Sequence, residues 1–60
     1  MTINQALDKI LTKYKNSDMA SFPDISALKV SLIEQKMVWG GNYKLENPRK
    51  INEAIETGKY

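Results

Sequence analysis

Ser26-Ala27-Leu28-Lys29 is a place where a nucleophile and a base stand at a catalytic spacing. The S-x-x-K pattern serves some serine acylases, in which a hydroxyl attacks and a neighbouring base takes its proton. It needs a second motif and a cleft, and no second motif follows. The plainer reading is a solvated Ser and Lys one helical turn apart. Glu53 and Glu56 are three apart and form a carboxylate pair. A hard cation takes about six or more oxygens, so two solvated acids are the better reading. Gly40-Gly41 lacks the lysine and hydroxyl of a phosphate loop and the glycine spacing of a dinucleotide fingerprint. Histidine and cysteine are absent, which removes the commonest general base, the thiolate nucleophile and the usual zinc ligands. An enzyme is not expected, and neither is a cofactor or a metal.

What remains is the chemistry of binding. Trp39 and Tyr43 flank Gly40-Gly41-Asn42, and Trp and Tyr are enriched in interface hot spots. The competing reading is that Trp39 folds back to complete a small core with Tyr43 as its lid. That reading is favoured for Trp39, because so short a chain needs its largest apolar side chain inside; Tyr43 is expected to be the more exposed of the two. Lys29 and Lys36, with Lys44, Arg49 and Lys50, would make a basic stripe if they shared one face. Basic solvated surface is the commoner reading of such residues.

Three segments must position these groups. From Ile3 to about Lys15, the residues Ile3, Ala6, Leu7, Ile10, Leu11 and Tyr14 recur at steps of three and four, the signature of an amphipathic helix. Thr2 and Gln5 have capping-box spacing. Asn16-Ser17-Asp18 reads as the exit. Pro23 suits a first helical turn, with Ser21 and Asp24 both open as the cap. The second helix is expected from Asp24 to Lys36 or a little beyond. Its apolar residues make two stripes, Ile25/Leu28/Leu32 and Val30/Ile33/Met37, roughly 120° apart. Such a helix packs on two things. It is either the central helix of three, or one stripe faces another molecule.

Residues 37–45 are ambiguous. β-branched and aromatic residues around Gly-Gly-Asn signal a short β-hairpin. They equally suit a helix ending on a glycine cap and followed by an extended stretch. Asn47-Pro48 opens a last helix. Ile51, Ala54 and Ile55 form its apolar face, and Gly58 sits at its C-terminal stop. Arg49 and Lys50 oppose the helix dipole in its first turn, a placement that suits contact better than local stability. The fold class is therefore mainly α: one small three-helix domain over 1–60, with a wing-like hairpin at 37–45 as the open alternative. The order helix, helix, wing, helix resembles the architecture of winged helix-turn-helix proteins, a resemblance that covers Asp24 to Ile55. That resemblance implies recognition through Asp24–Lys36 with Met37–Leu45 as the wing.

Composition bounds the function. The chain has 60 residues, 42% of them hydrophobic, with nine Lys/Arg against seven Asp/Glu. A chain of this size buries only about 60% of the surface it exposes when unfolded, and small domains commonly need a disulfide, a metal or a partner. With cysteine absent, a partner chain is the staple that remains. No apolar run approaches the ~20 residues of a membrane span, so no membrane is expected, and Met1-Thr2-Ile3-Asn4-Gln5 lacks the pattern of a secretory signal. A cytoplasmic setting follows as the expectation, the host cytoplasm if the source is viral. Arg49 is the only arginine, whereas base and phosphate recognition favours arginine forks.

The sequence thus points to a small non-enzymatic regulator or inhibitor, phage-encoded blockers of host factors among its models. It would act by steric occlusion of a larger protein partner. Val30, Ile33, Met37, Trp39 and Tyr43 are the expected contact residues. The alternative is a winged-helix-like DNA-binding regulator, a homodimer using Lys29, Lys36, Lys44, Arg49 and Lys50 on nucleic acid. A structural subunit of a larger assembly is the third reading.

Overall fold

Helix α1 spans Ile3–Lys13 in a computed structural model that describes residues 1–60. Its start is fully accounted for. The Gln5 amide donates to Thr2 Oγ1 at 3.2 Å, and the Thr2 amide donates to Gln5 Oε1 at 2.8 Å. This is the capping box that the spacing of Thr2 and Gln5 predicts. The other early amides find backbone partners in the segment after the second helix: Ile3 N–H donates to the Tyr43 carbonyl at 3.0 Å and Asn4 N–H to that of Gly41 at 2.9 Å. No early donor of α1 is left without an acceptor, which is the condition for burying a helix end. Ile3, Ala6, Ile10 and Tyr14 are buried along one face.

A 3-10 turn, Met19–Ser21, follows, capped by the Asp18 carboxylate, which accepts from Ala20 N–H at 3.0 Å. Helix α2 is Pro23–Trp39. Phe22 precedes it without a side-chain cap, so neither Ser21 nor Asp24 fills that role; Pro23 at the first position supplies the start. Helix α3 is Pro48–Thr57, stopped by Gly58 in the left-handed region at φ 75°, ψ 13°. Asn47 stands at its cap position, but its side chain makes no capping bond.

The three-helix class holds, and two details are corrected. The wing-like hairpin at 37–45 does not form. Met37, Val38 and Trp39 continue α2 to Gly40, whose φ of 93° ends it. The segment beyond Gly40 is not partnered with 37–39 but laid across the start of α1. There Thr2 and Lys44 form an isolated antiparallel bridge, and Leu45 N–H donates to the Met1 carbonyl at 2.8 Å. Paired with 37–39 as a two-stranded ribbon, this segment would have left the first amides of α1 without these acceptors.

The second correction concerns the centre of the fold. Helix α1, with its single stripe, packs against both α2 and α3, whereas α2 rests on α1 and the 3-10 turn. So α2 is not the central helix. Ile25, Leu28 and Leu32 complete the core with Ala54 and Ile55 of α3. Fully burying each such Ile or Leu contributes about 1.5–3 kcal/mol. No helix is long and apolar enough to cross a membrane.

Candidate protein-docking face on the second helix

Helix α2 outruns its support. At about 1.5 Å per residue, α1 with 11 residues is about 16 Å long and α2 with 17 about 25 Å. The last buried residue of α2 is Leu32. Beyond it Ile33 is 40% exposed, Met37 83%, Val38 71% and Trp39 63%. Val30, one turn before Ile33, is 53% exposed. The two stripes therefore part company: Ile25/Leu28/Leu32 enter the core, and Val30/Ile33/Met37 face outward along the free side of the helix.

The expected contact residues fall into two groups. Val30, Ile33 and Met37 share the outer face. Trp39 lies two residues beyond Met37, hence about 160° away round the axis. It stacks on Tyr43 with ring centroids 5.5 Å apart and an interplanar angle of 27°. The fold-back of Trp39 into the core is overturned. Trp39 is also more exposed than Tyr43, the reverse of the expected order. The overhang of α2 carries it past the end of the core, where the Tyr43 ring is the surface on offer.

Three exposed apolar residues lie outside the sequence expectation: Val38, Leu11 and the C-terminal Tyr60. Val38 is exposed beside Met37, and Leu11 of α1 is 55% exposed. Leu11 stands about 100° from Ile10 at the edge of its stripe, which is the signal that marks it. Leu11 lines one shallow groove with Lys29 and another with Lys36. These two lysines therefore border the outer apolar face on the side of α1. Glu34 borders it on the other side, lining a groove with Val30, Ala27 and Met19.

The five basic residues are not gathered in one groove. Lys50 lies beside Glu53, Thr57 and Tyr60, and Arg49 shares its turn of α3. Helix α3 reaches α1 through Lys9 Nζ, which donates to Asn52 Oδ1 at 2.7 Å, and through Lys13, 3.4 Å from Glu56. Lys9 and Leu11 are two residues apart, so they too stand about 160° apart on α1. Lys29 and Lys36 thus flank α1 on the side away from α3. Lys44 sits in the strap over the α1 start.

Ser26 and Lys29 stand one turn apart on α2, Ser26 lining one shallow groove and Lys29 another. No three acidic side chains converge on one point. Every buried side-chain nitrogen or oxygen has a hydrogen-bond partner, so no buried polar atom is left aimed at a ligand.

No protein-family model matches the chain, and neither a curated protein nor a solved structure matches it.

Proposed function

We propose that this protein works by binding a larger protein through the outer face of α2, and that it regulates or inhibits that partner by steric occlusion. The observation that carries the reading is the exposed run Val30, Ile33, Met37, Val38 on a helix whose opposite face is core. Apolar side chains contiguous on one free helix face mark contact surfaces in soluble proteins. An amphipathic helix laid into an apolar groove is a recurrent mode of recognition, read as anchors at i, i+3 and i+7, the spacing of Val30, Ile33 and Met37. Lys29 and Lys36 along one edge favour a groove with an acidic rim, where they would speed encounter and fix orientation more than add affinity.

The test is capture from lysate, nuclease-treated and untreated in parallel, by tagged wild type beside tagged Met37→Asp and Ile33→Asp. The expected result is one dominant protein held by wild type, at low and moderate salt alike, and lost by both variants while their helicity is unchanged. Capture that vanishes with nuclease, or falls by orders of magnitude as salt rises, overturns the reading in favour of phosphate contact.

A further inference from the structure

Resting on that docking face, we infer that in the absence of its partner the protein hides it by pairing with a second copy of itself, α2 against α2 in parallel. Val30 and Met37 are seven residues apart, with Ile33 between them. These are the two seam positions of a heptad. In that frame Lys29 and Lys36 take one flank of the seam and Glu34 the other. When two helices pair in parallel, a residue on the first flank meets the residue five positions further on in its partner. Lys29 of each copy then lies opposite Glu34 of the other, twice over by symmetry.

Within one chain neither group has an ion-pair partner, since the one salt bridge is Lys13 with Glu56. Antiparallel pairing would bring like flanks together, lysines on lysines. The charges therefore select the parallel arrangement. The seam is short, and a stable interface takes about 800 Å² per partner, nearly a fifth of the 4322 Å² this chain exposes. The pair is correspondingly weak, which lets a partner displace the second copy.

Sedimentation equilibrium on the purified chain between about 10 µM and about 1 mM tests this, a span that covers weak association. The expected mass rises from 6.8 kDa toward twice that value. Lys29→Glu alone and Glu34→Lys alone weaken the pair about threefold to tenfold at low salt, and the two together restore it. Val30→Asp abolishes it with helicity retained. A single-chain mass at every concentration overturns the inference, as does a pair that both charge variants leave unchanged or strengthen. Self-pairing can fail while Met37-dependent capture stands, and capture can fail while the charge-swapped pair stands, so the two readings fall separately.

Discussion

Tyr14 donates its hydroxyl hydrogen to the carbonyl oxygen of Ile55, 2.6 Å away in the core. The bond joins the exit of α1 to the last turn of α3. The Ile55 carbonyl has no backbone donor, because the Lys59 amide turns to Thr57 Oγ1 instead. Tyr14 is thus both a core side chain and a C-terminal cap supplied by another helix. Its ring also leans on Phe22, with centroids 4.9 Å apart, and a Cβ added at Gly58 would meet the Tyr14 hydroxyl and the Phe22 ring at ordinary contact distance.

Tyr14→Phe keeps the ring and removes that donor. A buried carbonyl left without a partner costs about 1–3 kcal/mol. For a chain of this size total stability is on the order of 3–9 kcal/mol, so the urea midpoint is expected to fall clearly. An unchanged midpoint would show that water or another donor satisfies the Ile55 carbonyl.

Leu32 and Ile33 are neighbours with opposite fates. Leu32→Ala empties a fully buried site and is expected to cost about 2–5 kcal/mol, enough to unfold much of the population at room temperature. Ile33→Ala, on the outer face, is expected to stay within about 1 kcal/mol. Circular dichroism during urea titration of both variants checks the contrast. Equal losses would place both stripes in the core.

Gly40 and Gly41 are adjacent but constrained differently. Gly40 holds φ 93°, ψ 156° with open space around it, a region essentially confined to glycine. Gly40→Ala is expected to cost about 1–3 kcal/mol from backbone strain alone. At Gly41 the nearest atoms to an added Cβ belong to the end of the exposed Asn4 side chain, which can rotate away, so Gly41→Ala is expected to cost less. Thermal melts of the two variants should rank in that order.

Trp39 is the one tryptophan, so its fluorescence reports this corner alone. Red-shifted emission with ready acrylamide quenching is expected of the free chain. Stacking on Tyr43 is worth about 0.5–1.5 kcal/mol, so Trp39→Ala should leave the fold intact. Blue-shifted, poorly quenched emission would return Trp39 to the core.

The local features were legible in the sequence. The capping box on α1, the starts at Pro23 and Pro48 and the stop at Gly58 each depend on residues within one turn of one another, and the structure has all of them. The mainly helical class follows from the same short-range rules. Three things depended on the tertiary structure. Either stripe of α2 could have been buried; α1 has one apolar face wide enough to serve both α2 and α3, so α2 commits Ile25, Leu28 and Leu32 to it and its other stripe finds no surface. Residues 41–45 have partners as part of a ribbon or as a strap, and the orphan amides of a distant helix start settle the choice. Trp39 is apolar enough for a core, but α2 is longer than the helix beneath it, and a side chain that overhangs its support has nothing to be buried against.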